Sequence, residues 1–154
     1  MFFFELMAAA FEKLRPKREA ERGRSRTRAV GDRAEDFAVE FLKQHCRFRV
    51  VERNLEDEEG ELDIVGRVRG NEGLVVVEVR ARREGGMVVP RDAVDIHKQR
   101  QVVQTAQRIL RRKGYHDVLR FDVVGVFLDD RGEPVRAEHT PAAFDHRVLK
   151  RAQS

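Results

Sequence analysis

Two acidic residues stand inside runs of apolar residues that are typical of β-strands. Asp63 lies in the run 61–65, and Glu78 lies in the run 75–80. Burying an unpaired carboxylate in a protein core is expensive, so each of these side chains needs a partner. Because strand side chains alternate between the two faces of a sheet, Glu78 and Arg80 share one face. If the two strands are neighbours in matching register, the side chains of Asp63, Glu78 and Arg80 converge.

Two carboxylates at one place repel each other unless a proton or a cation lies between them. Mg²⁺ and Mn²⁺ are hard cations that take oxygen ligands of this kind. A bound ion of this type can polarise a phosphodiester and activate a water molecule for attack. A basic side chain two residues after Glu78 would then face the same reaction centre. The residues therefore predict a metal-dependent site for phosphodiester chemistry.

Each of these residues also has an ordinary structural interpretation. Glu78 and Arg80 could form an ion pair at a strand end, and Asp63 could cap a turn. Glu35 lies at the edge of the apolar face of a predicted helix, where rim carboxylates are common. Lys98, on the long predicted helix, could simply be solvated. The combination favours function, because carboxylates occur in two apolar strands and on the helix that precedes them.

The apolar spacing along the chain predicts one helix, three strands, a second helix and a fourth strand. The predicted ranges are 31–45 with Asp32 as N-cap, 48–55, 61–68, 74–81, Pro90 to about Lys113, and 119–128. The run 74–77 suggests a central strand that is covered on both faces. Beyond Asp129 the pattern fades, although Phe144 and Val148 could anchor a short terminal helix. This order predicts an α/β fold in which helices flank a mixed central sheet.

Length and charge limit the class of protein. A chain of 154 residues suits one domain with one core. The net charge is only +4, but basic residues cluster at 15–33, at Arg80, Arg82 and Arg83, and at 108–113. Basic clusters attract polyanions, nucleic acids above all. A solvated arginine-rich surface explains the same clusters, so charge alone leaves both interpretations open.

The N-terminal segment predicts an arm ahead of the domain. We assign residues 1–30 to a basic arm that is either flexible or a short helix, and residues 31–154 to a single nuclease-like domain. Residues 1–11 are apolar, but the basic residues follow this stretch, which argues against a secretory signal and against stable membrane insertion. The single Cys46 cannot form an internal disulfide, and the sequence has no zinc-type cluster. Cysteine usage therefore indicates a reducing, cytoplasmic setting.

Several of these segments occur in an order that is typical of one family. The chain resembles the YraN-like family, whose members resemble the PD-(D/E)xK, or restriction-endonuclease-like, nucleases and especially archaeal Holliday-junction resolvases. The resemblance covers roughly residues 31–128. It rests on the segments Gly31-Asp32-Arg33-Ala34-Glu35-Asp36-Phe37-Ala38, Asn54, Gly60-Glu61-Leu62-Asp63-Ile64-Val65, Val77-Glu78-Val79-Arg80-Ala81-Arg82, Ala93-Val94-Asp95 with Lys98, and Arg120-Phe121-Asp122-Val123-Val124.

The resemblance implies a restriction-endonuclease-like αβββαβ core and a metal-dependent endonuclease acting on DNA, structure-selective or non-specific, with Mg²⁺ or Mn²⁺. It implies that Asp63 and Glu78 bind the metal and that Glu35 is an accessory catalytic carboxylate. It also implies a lysine two residues after Glu78, where this chain has Arg80. A guanidinium stays protonated and cannot act as a base. We therefore assign Arg80 to phosphate binding and to neutralising charge in the transition state.

Arg82, Arg83 and Lys98 complete the predicted site as nucleic-acid contacts. We expect the carboxylate oxygens of Asp63 and Glu78 to lie within about 4–6 Å of one another, the reach of a shared ion. Two other functions stay open. One is a nucleic-acid-binding module that keeps the fold without cleaving, and the other is a protein-interaction module that docks through the Phe-rich first residues. A homodimer is also left open.

Overall fold

The computed structural model describes residues 17–85 and 95–153 of the chain. In chain order the elements are α1 (Lys17–Cys46), β1 (Phe48–Asp57), β2 (Gly60–Val68), β3 (Leu74–Arg83), α2 (Ile96–Arg112), β4 (Val118–Leu128), β5 (Pro134–Phe144) and a terminal 3-10 helix (His146–Gln153). The predicted order of helix, three strands, helix and strand is confirmed. The fifth strand lies beyond the elements that the sequence predicts.

The five strands form one mixed sheet in the order β1-β2-β3-β4-β5. Neighbouring strands run antiparallel except β3 and β4, which run parallel. A parallel pair needs a long crossover connection, and the segment between these two strands contains α2. β5 has the character of an edge strand, because most of its side chains are half-buried or exposed and Pro134 and Pro141 interrupt its donors. It therefore lacks the apolar alternation by which a strand is predicted.

Each face of the sheet carries its own apolar core. The α2-side core contains Leu62, Val65, Leu74, Val76, Val102, Val103, Ala106, Leu110, Phe121, Val123, Phe144 and Val148. The α1-side core contains Ala34, Ala38, Val39, Leu42, Phe48, Ile64, Val75, Val77, Val124, Val126 and Leu128. Successive residues of the run 74–77 thus enter opposite cores, which confirms the prediction of a central strand covered on both faces.

Helix α1 is longer than the sequence predicts. The prediction that it begins at Gly31 with Asp32 as N-cap is wrong, because the helix spans Lys17–Cys46 and Asp32 lies inside it. The segment 17–30 lacks apolar periodicity in its sequence, but arginine, glutamate and alanine are good helix formers, and this composition favours a helix without that signal. The predicted Phe-rich docking residues lie outside the described residues.

Helix α2 begins at a capped end and stops at a glycine. The Asp95 side chain accepts a hydrogen bond of 2.9 Å from the His97 backbone N–H. Gly114 follows the helix with φ 86°, a conformation that favours glycine, and the helix ends close to Lys113 as predicted. The predicted start at Pro90 lies outside the described residues. Val148, in the terminal 3-10 helix, is buried in the α2-side core as predicted.

Within residues 17–85 and 95–153, no helix combines the length and the apolar character that a membrane span requires.

Candidate active site

Asp63 and Glu78 lie at the point where the pairing of β2 with β3 ends. The last paired residues in this direction are Ile64 and Val77, and one further step of the antiparallel register sets Asp63 opposite Glu78. Beyond these paired residues, the backbone N–H of Val79 donates a 2.7 Å hydrogen bond to the Asp63 carboxylate rather than to a main-chain oxygen of β2. Both acids are buried, at 9% and 5% exposure. The two strands therefore bring two carboxylates together inside the protein.

The pKa of Asp63 is raised well above its ordinary value. Burial is the largest cause, and the negative charge of Glu78 is the next. Glu35 and Glu61 raise this pKa further, whereas the hydrogen bond from Val79 lowers it. The cluster thus holds more negative charge than its buried surroundings stabilise, and a proton or a cation near Asp63 would relieve that repulsion. The separation of the Asp63 and Glu78 oxygens stays a prediction.

Glu78 lies between two basic side chains that come from different elements. The Arg80 Nε lies 3.5 Å from the Glu78 Oε1, and the Lys98 Nζ lies 3.4 Å from the same oxygen. Arg80 follows Glu78 along β3, so the two share a face as strand alternation predicts. Lys98 reaches across from the first turn of α2. The sequence predicts Lys98 as a nucleic-acid contact and does not indicate its contact with Glu78.

Glu35 comes from α1 and carries a buried carboxylate oxygen, Oε2, with no hydrogen-bond donor among the described residues. Arg53 Nη2 lies 3.8 Å from that oxygen and donates instead to Asp36 at 2.7 Å. Burial raises the pKa of Glu35 to about 7, Arg53 lowers it, and the charges of Asp32, Glu61 and Asp36 add to the rise. Sequence reasoning finds Glu35 but misses Arg53, because only the packing of α1 on β1 brings these side chains together.

Arg82 and Arg83 point in different directions because they are successive residues of one strand. Arg82 is half-buried, and burial followed by the charge of Arg80 lowers the pKa of its guanidinium. Arg83 is exposed and donates hydrogen bonds of 2.8 and 3.2 Å to Asp130, in the turn between β4 and β5. The structure therefore places Arg82 on the same face of β3 as Arg80, and it pairs Arg83 with Asp130.

Asp122 shows what a fully satisfied buried acid looks like in the same sheet. It is 1% exposed and accepts hydrogen bonds from Arg120, from the Ala142 backbone N–H and from the His139 ring. Burial alone would raise the pKa of Asp122, but the bonds from His139 and Arg120 outweigh it and lower the pKa. Asp122 is thus explained by structure alone, whereas Asp63 and Glu35 are not.

The donor atoms of the cluster fit a hard cation in type, although not as a complete protein cage. Within residues 17–85 and 95–153, no group of three or more His, Cys, Asp and Glu side chains is arranged to hold a metal. Mg²⁺ commonly uses one or two carboxylates and keeps several of its waters, with substrate phosphates supplying the remaining oxygens. Asp63 and Glu78 match that smaller requirement, since they are neighbouring buried carboxylates and the charge of Glu78 raises the pKa of Asp63.

The fold and this cluster together define an α/β protein with a restriction-endonuclease-like core. The model of Uncharacterised protein family UPF0102 matches residues 34–126, and the chain belongs to that family, which is the YraN-like family of nuclease-like proteins. The resemblance inferred from the sequence is thereby confirmed.

Relatives of this family cover most of the chain. A UPF0102 protein of Pelobacter propionicus is 42% identical over 119 residues, 77% of this chain and 84% of its own. One from Geobacter sulfurreducens is 40% identical over 124 residues, 80% of this chain and 94% of its own. Among solved structures, that of SSO0001 aligns with 95% of this chain and 67% of its own at 12% identity and a TM-score of 0.36, a likeness too weak to bear on function.

Proposed function

We propose that the protein is a Mg²⁺- or Mn²⁺-dependent deoxyribonuclease that hydrolyses phosphodiester bonds. The observation that carries this proposal is the pair of buried carboxylates, Asp63 and Glu78, on neighbouring strands. The charge of Glu78 raises the pKa of Asp63, a divalent ion between the two would relieve that repulsion, and membership of a nuclease-like family adds to the case. We also propose that DNA is the partner and that the protein acts in the cytoplasm.

Asp63 and Glu78 would hold the metal in this proposal. When bound, the ion would polarise the phosphodiester and lower the pKa of a water molecule. Glu35, whose pKa is about 7, is suited to accept or return a proton near neutral pH, because a catalytic base works best when its pKa lies near the working pH.

Arg80 would neutralise the charge that develops on the phosphate. It can donate paired hydrogen bonds to phosphate oxygens, but it cannot take a proton from water. We therefore expect Arg80→Lys to cleave as fast as the wild-type protein or faster, because lysine keeps the positive charge and its pKa can fall on burial.

A module that binds DNA without cleaving it is the second candidate. The contacts of Arg80 and Lys98 with Glu78 favour it, because they already balance one carboxylate without a metal. The group of three or more ligands that a protein cage would need is also missing from residues 17–85 and 95–153. Arg82, Arg83 and Lys98 would contact the DNA backbone in either case, and binding would weaken steeply with salt.

A cleavage panel distinguishes these functions. Single-stranded, duplex, flap and junction DNA would be incubated with Mg²⁺ or Mn²⁺ and with wild type, Glu78→Gln, or the control Glu72→Gln. Glu72 is exposed in the turn between β2 and β3. We expect metal-dependent cleavage by wild type and the control, and a loss of at least about 100-fold in Glu78→Gln, the scale of removing one electrostatic group from a catalytic site.

The other outcomes of the panel decide against hydrolysis at this site. Salt-dependent DNA binding by wild type without cleavage supports the binding module. Cleavage that persists undiminished in Glu78→Gln contradicts the proposed mechanism, because the activity would then arise elsewhere. If the wild-type protein neither binds nor cleaves DNA, the result supports the protein-interaction alternative.

A further inference from the structure

Lys98 and Arg80 contact the same oxygen of Glu78 but are held very differently. Arg80 belongs to the same strand as Glu78, and its side chain is 12% exposed. Lys98 approaches from α2, and its side chain is 28% exposed. A lysine carries a compact ammonium on a flexible four-carbon stem, whereas an arginine carries a planar guanidinium whose donors are arranged in a rigid fork. Of these two cations, Lys98 is the one that can leave with less disturbance.

We propose that Lys98 is the exchangeable cation of this site, and that its ammonium and a divalent ion compete for the carboxylate of Glu78. The inference rests on the proposed function in one respect, namely that Asp63 and Glu78 accept a divalent ion. In the metal-free protein Lys98 stays on the Glu78 Oε1, as the 3.4 Å contact describes. When an ion binds there, the ammonium withdraws toward solvent along its own stem.

The balance of charges at the site indicates that the displaced ammonium of Lys98 would attract a phosphate group. Asp63 and Glu78 together supply two negative charges, and a divalent ion between them would balance this pair without the ammonium of Lys98. The positive charge of Lys98 is then left over at the mouth of the site, together with that of Arg80. A phosphate group of the substrate is the anion that two neighbouring cations attract. Lys98 thus supplies from a helix the flexible cation that Arg80 does not supply from the strand.

A permanent ion pair between Lys98 and Glu78 makes the opposite prediction about metal binding. If Lys98 only fixes the rotamer of Glu78, then removing it loosens a ligand and weakens the binding of a divalent ion. If Lys98 competes with the ion, then removing it strengthens that binding. The direction of the change therefore separates a positioning role from a competing one, without reference to catalysis.

The experiment is a Mn²⁺ titration at fixed pH and ionic strength, with free Mn²⁺ followed by electron paramagnetic resonance. The full chain would be compared with Lys98→Gln, with Lys98→Arg, which keeps the charge, and with Lys43→Gln. Lys43 pairs with Glu40 on the exposed face of α1 and serves as the matched control for a lost lysine. Thermal unfolding of each variant would establish that it is folded.

We expect Lys98→Gln to bind Mn²⁺ about five- to tenfold more tightly than wild type, the scale of one partly screened unit charge. Lys98→Arg and Lys43→Gln should stay within about twofold of wild type. Unchanged or weaker binding by folded Lys98→Gln overturns the inference, and so does Mn²⁺ binding by none of the proteins. Tighter binding without DNA cleavage by wild type supports the inference and overturns the proposed hydrolysis, so the two failures are distinguishable.

Discussion

The buried acids of this protein differ in what balances their charge. Asp122 accepts hydrogen bonds from two basic side chains and a backbone N–H, so its position is explained by packing. Glu78 is balanced by Arg80 and Lys98. Asp63 accepts a hydrogen bond from the backbone N–H of Val79 and lies near the negative charge of Glu78. The carboxylate of Asp63 is therefore under electrostatic strain. Unbalanced charge therefore distinguishes the candidate site more sharply than burial does.

Glu35 should make the stability of the protein depend on pH in a defined direction. Its pKa rises from an ordinary value of 4.5 to about 7 in the folded protein. Between these values the folded protein keeps a proton that the unfolded chain has lost. The contribution of Glu35 to the free energy of unfolding is therefore fully present below pH 4.5 and is lost as the pH rises through 7. We expect Glu35→Gln to gain up to about 3 kcal/mol relative to wild type between pH 4.5 and pH 8. Urea unfolding of both proteins across this range measures the difference.

Glu40→Gln is the control for that experiment, because Glu40 is exposed on the same helix. Its stability relative to wild type should change little over the same range. A difference between Glu35→Gln and wild type that stays constant with pH would show that folding does not raise the pKa of Glu35.

Strand alternation locates Asp63, Glu78 and Arg80 from the sequence alone, because a period of two is set within each strand. The contacts of Lys98 and Arg53 depend instead on how the helices are rotated against the sheet. Helical periodicity identifies a buried face but does not say which strand residue a rim side chain meets. Sequence therefore yields the acids of the site and Arg80, but it misses the contacts that Lys98 and Arg53 make with those acids.

At the scale of elements, Gly66 of β2 is fixed by a close approach between strands. A Cβ at Gly66 would collide with the ring of Phe48 and with the carbonyl oxygen of Arg49, both on β1. Because backbone cannot move aside cheaply, we expect Gly66→Ala to destabilise the protein by about 1–3 kcal/mol, the cost of overpacking a core. The free energy of unfolding in urea provides the measurement.

Gly125 of β4 offers a matched control within the same sheet. A Cβ there would meet Phe127 at 3.9 Å and the Glu138 carbonyl oxygen at 4.0 Å, which are ordinary contacts. Gly125→Ala should therefore leave stability unchanged or raise it slightly. Equal destabilisation by both substitutions would mean that lost chain flexibility or general packing, rather than the approach of β1, determines the result.

The junction between α1 and β1 carries a strained residue. Arg47 follows the last residue of the helix with φ 51°, a left-handed conformation in which glycine is favoured. Its side chain is exposed, so little is lost when it is removed. We expect Arg47→Gly to stabilise the protein by about 1 kcal/mol, the cost of this conformation for a residue with a Cβ. Thermal unfolding would record a higher midpoint.

Arg49, two residues further along the chain, provides the comparison for Arg47. It is exposed on β1 and pairs with Arg67 in ordinary extended backbone. Arg49→Gly should therefore lower stability by about 0.5–1 kcal/mol. A loss of stability in Arg47→Gly as well would contradict the assignment of strain to this junction.

Strands β1 to β4 and the C-terminal end of α2 are predictable because their apolar residues follow a regular period into two cores. The start of α1 and the whole of β5 are not. The segment 17–30 is helical although its sequence has no apolar periodicity, and β5 is an edge strand with polar residues and two prolines. β5 is a strand because it pairs with β4, and no local sequence pattern predicts that pairing.

At the scale of the whole molecule, the candidate site lies where both helices meet the sheet. Glu35 comes from α1, Asp63 and Glu78 come from the central strands, and Lys98 comes from α2. The two apolar cores therefore fix the relative positions of four charged side chains that are distant in sequence. Such an arrangement is costly to maintain and is typical of functional sites.

The N-terminal region should be separable from this folded unit. Val30, Ala34, Ala38 and Leu42 contribute the packing of α1 on the sheet, and all of them lie beyond residue 28. We therefore expect deletion of residues 1–28 to change the midpoint of thermal unfolding by no more than a few degrees. The same deletion removes several arginines, so DNA affinity should fall and become less dependent on salt. A large loss of stability would show that the Phe-rich segment completes the core.

The most direct test of the metal site is crystallographic. Crystals of the protein soaked in Mn²⁺ would be measured at a wavelength where manganese scatters anomalously. We predict an anomalous peak between Asp63 and Glu78, with carboxylate oxygens at about 2 Å from the ion and with Lys98 withdrawn from the Glu78 Oε1. An ordered site without a peak, in which Lys98 and Arg80 both remain on Glu78 at saturating Mn²⁺, would contradict the account.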